Sequence, residues 1–169
     1  MLFDADFTCY ECADTEKPMR VVVRNVLRKA NKFRKMVGAE FIHLYLTMGE
    51  KSGREAMARV KEYQENRGET NERRLMAREI RQALANLKLD NPHVTIVPCY
   101  HFEADDVMSR DLRHHQKIDG FLKVGIHSGD KDLNMNEGVH VDSEGNTKVV
   151  REYSETRYID TVYKSGQNA

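Results

Sequence analysis

Apolar residues along this chain fall into two kinds of block. Met1–Phe7, Phe41–Thr47, His93–Val97 and Phe121–His127 are short runs rich in branched and aromatic residues, and they predict four strands. Between them the apolar positions recur with helical period. Val22, Val26, Phe33 and Val37 mark the buried stripe of a helix that starts near Pro18, where a missing N–H costs little, and stops at Gly38. Asn71 is placed to cap a helix through Lys88 with Met76, Ile80, Ala83, Leu84 and Leu87 inward. A third helix is expected from about Glu103 to His115, and a last one over residues 154–164. Val139–Val141 and Thr147–Val150 flank Ser143-Glu-Gly-Asn146 and predict a small hairpin. Residues 49–71 show no clear period and many charges, which marks a functional or mobile segment.

Strands that alternate with helices predict one α/β domain over residues 1–169, with a mainly parallel central sheet and helices on both faces. In such sheets, ligands bind beyond the carboxyl ends of the strands.

Composition narrows this picture. Of the 169 residues, 40% are hydrophobic and 32% charged, an ordinary balance for a water-soluble domain. No apolar run is long enough for a membrane span, and the N-terminus lacks the pattern of a signal peptide. Cys9, Cys12 and Cys99 are too few for a disulfide framework and point to a reducing, cytoplasmic setting. Net charge is zero, but residues 1–88 carry 18 Lys/Arg against 13 Asp/Glu and residues 89–169 carry 9 against 14. A basic surface for phosphates beside an acidic metal pocket would divide charge this way. A solvated helix face explains the basic run of residues 17–35 equally well.

The acids follow the strands. Asp4 and Asp6 close the first, Glu50 follows the second, Glu103, Asp105 and Asp106 follow the third, and Asp130 and Asp132 follow the fourth. A parallel sheet would gather all eight at one edge, where only cations could offset their repulsion. Oxygen ligands alone favour Mg²⁺ or Mn²⁺ over zinc. On a helix, Glu103 and Asp106 would share a face and Asp105 would point elsewhere, so one motif could feed two adjacent ions.

Leu2-Phe-Asp-Ala-Asp6, Glu103-Ala-Asp-Asp-Val-Met108 and Ser128-Gly-Asp-Lys-Asp-Leu133 resemble the acidic motifs of the 5′→3′ exonuclease and flap-endonuclease family, its phage members above all. Lys61-Glu-Tyr-Gln-Glu-Asn-Arg67 is similar to the family's Tyr-Lys-x-Asn-Arg segment. The matches run in the family's order over residues 1–135. The resemblance implies a PIN-like catalytic domain, an arch segment at 49–71 and two-metal hydrolysis of DNA phosphodiesters. It implies that Asp4, Asp6, Glu50, Glu103, Asp105, Asp106, Asp130 and Asp132 hold two Mg²⁺ or Mn²⁺ ions. Lys61 and Arg67 then assist catalysis, and Arg54, Tyr63, Gln64 and Arg67 contact DNA with 5′ ends or flaps. Two departures stand out. Gln64 occupies the position of the family's lysine, leaving Lys61, Arg54 or Arg67 to supply its charge. The family's Gly-Asp-x-x-Asp-Asn segment and helix–three-turn–helix do not occur before Ala169, so a C-terminal companion polypeptide is an expected partner and the chain alone an expected weak nuclease.

Three other readings stay open. Phe3-Asp-Ala-Asp-Phe-Thr8 fits the nucleophile motif of haloacid-dehalogenase-like phosphatases, with Thr47 ending a second motif. A PIN-type ribonuclease shares the acidic edge. An inactive DNA-binding remnant would tolerate Gln64. Cys9-x-x-Cys12 is half a zinc site and reads as structural. His114 and His115 are expected at a helix end with surface roles. Tyr100, Phe102, Phe121, Met76 and Met108 are expected in the core.

Overall fold

The computed structural model describes residues 1–49, 71–129 and 132–151. The expected helix at 154–164, the arch segment's residues 50–70, and with them Glu50, Arg54, Lys61, Tyr63, Gln64 and Arg67, lie outside this set, as does Asp130.

Six strands form one sheet in the order β3-β2-β1-β4-β5-β6. They are β1 (Leu2–Asp4), β2 (Ile42–Thr47), β3 (Val94–Cys99), β4 (Gly125–His127), β5 (Gly138–Val141) and β6 (Thr147–Val150). The first five run parallel, and β6 turns back antiparallel on β5. The α/β class with a mainly parallel sheet is therefore as the alternation predicts. The chain winds outward from β1 through β2 to β3, then returns to build β4 on β1's other side. This reversal makes the gap between β1 and β4 a topological switch point, where loops diverge and leave a crevice.

Side chains of successive strand residues point to opposite faces, and β1 and β2 divide the core accordingly. Phe3, Ile42, Leu44 and Leu46 join one cluster with residues of helices α1 (Ala5–Cys12), α2 (Met19–Met36) and α3 (Glu72–Ala85). Leu2 and Tyr45 join the other, beneath helix α4 (Ala104–Asp119) with its Ala104, Met108 and Leu112. Burying a side chain such as Leu44 or Ile80 contributes roughly 1.5–3 kcal/mol. His127 sits between Phe3 and Phe33, with ring centroids 4.9 and 4.3 Å away. Its Nδ1–H donates to the Val141 carbonyl at 2.8 Å, and burial holds its pKa below the ordinary histidine value.

Several expected boundaries move. The first strand stops at Asp4, and the residues expected to extend it to Phe7 begin α1 instead. Asp4 has extended backbone and accepts the Asp6 N–H at 3.0 Å, an N-cap. Ala5, Thr8 and Cys9 then bury one helical face, so packing overrides the poor helix propensity of Phe7-Thr-Cys-Tyr10. The strand expected at Phe121–His127 forms only over Gly125–His127, because Gly120 turns the chain at φ +100° and residues 121–123 complete the turn. The third strand runs on to Cys99 through Pro98, which an edge strand tolerates. Asn71 caps α3 as expected, accepting the Arg74 N–H at 2.9 Å. The helix ends at Ala85, and Leu87, expected inward, is exposed. Helix α4 continues four residues past His115, so the His114-His115 pair lies inside it. The hairpin forms as expected, with Asp142 accepting the backbone N–H groups of Glu144 and Asn146, each at 2.9 Å. The three cysteines are free. Among the described residues, no helix is long and apolar enough to cross a membrane.

Candidate metal centre

The register brings the two acidic loops together. Phe3 pairs with His127 across β1 and β4, so the next residues, Asp4 and Ser128, leave their strands side by side. The Ser128 hydroxyl donates to Asp4 Oδ2 at 2.7 Å, while Asp4 Oδ1 holds the Asp6 N–H. Both oxygens of Asp4 are thus oriented at the switch point.

The carboxyl group of Asp4 is pushed up to about 6, first by burial and then by the charges of Asp6 and Asp105, against the opposing hydrogen bonds from Ser128 and the Asp6 N–H. Acids from the end of β1, the first turn of α1 and the first turn of α4 therefore act on one another. Nearby like charge disfavours ionisation, and a cation would reverse that.

Asp6 is held differently. The Thr47 N–H donates to both of its oxygens, at 3.1 and 3.3 Å, and Arg81 of α3 lies 3.4 Å away. Thr47 in turn accepts the Ala104 N–H on its hydroxyl at 2.9 Å. Asp6, Thr47 and Ala104 so link α1, the end of β2 and the start of α4, fixing the acidic trio relative to Asp4.

The trio opens α4. Glu103 is the N-cap of α4, with extended backbone, so helical spacing does not set its direction. Asp105 is half-buried and its charge reaches Asp4, while Asp106 is exposed. The Asp105 side chain also accepts the Asp106 N–H at 2.8 Å. Asp132 is exposed at the start of a short 3₁₀ turn, Asp132–Met135.

Among the described residues, no three His, Cys, Asp or Glu side chains are grouped closely enough to hold a metal ion as they stand. Two of the expected ligands, Glu50 and Asp130, fall outside those residues. The donors that do converge are carboxylate and hydroxyl oxygens, the chemistry that suits Mg²⁺ or Mn²⁺.

Three residues were not singled out from the sequence: Ser128, Thr47 as a positioning group, and Arg81. The signal for Arg81 was available. Arg74, Arg78 and Arg81 are spaced i, i+4, i+7 on α3 and share a face. Arg78 and Arg81 line a cleft of about 370 Å³ with Thr47, Met48 and Gln82. Tyr100 and Phe102, expected in the core, are 58% and 57% exposed. They lie on the connection between β3 and α4, and Phe121 is half-buried. Met76 and Met108 are buried as expected.

Comparison with protein-family models, with curated proteins and with solved structures finds no match for the chain.

Proposed function

We propose that this chain is a metal-dependent nuclease of the 5′→3′ exonuclease and flap-endonuclease type, with a PIN-like catalytic domain that hydrolyses DNA phosphodiester bonds. The observation that carries the reading is Asp4 at the switch point, bonded to Ser128 and opposed in its ionisation by Asp6 and Asp105. A cluster of acids from separate elements at the ligand-binding edge of a parallel sheet suits a polyanionic substrate only when cations intervene.

In this reading Asp4, Glu103, Asp105 and Asp106, with Glu50, Asp130 and Asp132, hold two Mg²⁺ or Mn²⁺ ions. The bound ions supply Lewis acidity toward the phosphate and lower the pKa of water. The chain's own contribution is orientation. Ser128 fixes Asp4, and the Asp6–Thr47–Ala104 link fixes the trio. Asp6, a ligand by resemblance of its motif, then acts chiefly through position, because the Thr47 N–H and Arg81 already engage its oxygens. Arg81 places positive charge beside Asp6, and Arg78 lines the same cleft as Arg81, where a phosphate backbone would run. Arg54, Lys61, Tyr63, Gln64 and Arg67 complete the DNA contacts.

A haloacid-dehalogenase-like phosphatase would use Asp6 as a proton donor and acceptor toward substrate, a role poorly served by a carboxylate tied to Thr47 and Arg81. Three substrates with Mg²⁺ separate the readings: 5′-labelled flap DNA, single-stranded RNA and a phosphomonoester. Cleavage of the DNA alone is expected. Turnover of only the monoester would replace the nuclease with a phosphatase, and turnover of only the RNA with a PIN-type ribonuclease.

A further inference from the structure

Helix α4 and strand β2 meet partly through polar groups. On α4, Asp111, His115 and Asp119 recur every four residues and share a face. On β2, His43 and Tyr45 point to one side of the sheet. The Tyr45 hydroxyl donates to Asp111 Oδ2 at 3.0 Å. Next along the seam, the His43 and His115 rings stand edge to face, with centroids 5.6 Å apart. His115 Nδ1 lies 3.3 Å from Asp119 Oδ2. The Met1 α-amino group donates to the Phe41 carbonyl at 3.0 Å. Its positive charge acts on His43, and Asp119 acts on it in turn.

His43 is half-buried in this seam. Burial first, then the α-amino group and His115, disfavour a proton on its ring, and Asp111 favours one. Asp111 is already engaged by Tyr45 and by Arg110, whose guanidinium lies 2.8 Å away. His114 adds a further imidazole beside His115, with centroids 5.8 Å apart. On the other side of β2, the β3 residue in register with His43 is the uncharged Thr95. A cation at His43 would thus face an ammonium from β1 and a titratable ring from α4. Two neutral imidazoles pack without penalty, whereas two imidazolium rings repel. We propose that this seam is pH-sensitive: α4 seats firmly on β2 while His43 is neutral, and its carboxyl-terminal half loosens once His43 and His115 both carry protons. The first turn of the same helix holds Asp105, whose charge acts on Asp4, so the seam governs how firmly that acid is held. The inference stands whether or not the chain is a nuclease.

The unfolded chain takes up its His43 proton near 6.5, and the folded chain does so only at lower pH. The stability contributed by neutral His43 is therefore whole above 6.5 and lost as pH falls below it. The test is hydrogen–deuterium exchange of the α4 and α2 amides at pH 7.5 and pH 5.5, for the parent, His43→Gln and Asp119→Asn. Comparing proteins at one pH cancels the intrinsic exchange rate and the titration of Asp4. For α4, the ratio of the parent's rate to that of His43→Gln should rise about tenfold from pH 7.5 to pH 5.5. For α2 the ratio should stay constant. Asp119→Asn removes the carboxylate that offsets the ring cation, and its α4 amides should exchange faster than the parent's at pH 5.5. An α4 ratio equal at the two pH values would overturn the proposal, as would a rise shared equally by α2. The Asp119 side chain is 53% exposed, so that variant folds even if glutamine at position 43 prevents folding. Asp119→Asn exchanging in α4 no faster than the parent at pH 5.5 would also overturn it.

Discussion

Asp4 caps α1, accepts the Ser128 hydroxyl and carries a charge that its neighbours oppose. Its folded-state pKa of about 6 stands above the unfolded 3.8. Between those values the folded chain keeps a proton that the unfolded chain has lost, so stability falls as pH rises through that interval. In EDTA at pH 7, Asp4→Asn should therefore melt above the parent, with a gain of at most roughly 3 kcal/mol. The gap should close by pH 4. Asparagine caps a helix as well as aspartate, but its amide nitrogen replaces the oxygen that accepts the Ser128 hydroxyl, so Ser128 must turn to accept from it and the gain is what remains after that exchange. Mg²⁺ should raise the parent's melting temperature and leave the variant's nearly unchanged. Identical melting of the two proteins in EDTA at pH 7 would mean that Asp4 bears no electrostatic strain. The acids themselves were legible in the sequence because each followed a strand. The influence of Asp105 on Asp4 was not, because it arises where the start of α4 meets the end of β1, a juxtaposition that spacing along the chain does not encode.

Between elements, Thr47 is the joint. Its hydroxyl satisfies the N–H of Ala104, a residue only 3% exposed. Thr47→Val keeps the shape and the backbone N–H to Asp6 but removes that acceptor, and it should cost about 1–3 kcal/mol, the penalty for an orphaned buried donor. Thr47→Ser should restore most of it. Equal stability of the valine and serine variants would show that the joint contributes nothing. The cap of α3 is a second, independent check: Asn71→Ala should lose about 1 kcal/mol, with Asn71→Asp near parental, as read by urea unfolding. Strands β2 and β3, helix α2 and the hairpin were readable because their apolar periods agree with their packing. Helix α1 was not, since Phe7-Thr-Cys-Tyr10 looks like strand and only burial of Ala5, Thr8 and Cys9 against the sheet makes it helical. Tyr100 and Phe102 were misplaced for the converse reason: apolar character beside a strand suggested core, but the chain has already left the sheet there.

For the molecule as a whole, the strand order decides where chemistry can occur. Five parallel strands with a reversal between β1 and β4 open a crevice at that reversal, and the acids of α1 and α4 are drawn to it by Thr47. Charge follows the same geometry at Arg81 of α3, which lies 3.4 Å from Asp6. The central claim is that this crevice is a metal-dependent nuclease centre. It is tested most directly by the rate of 5′-flap cleavage as Mg²⁺ is titrated, for the parent and for Asp4→Asn and Asp105→Asn. The parent should cleave only with Mg²⁺, and each variant should fall by about a hundredfold or more, the loss expected when positioned ions are displaced. Flap cleavage that persists in EDTA, or variants that match the parent at every Mg²⁺ concentration, would contradict it.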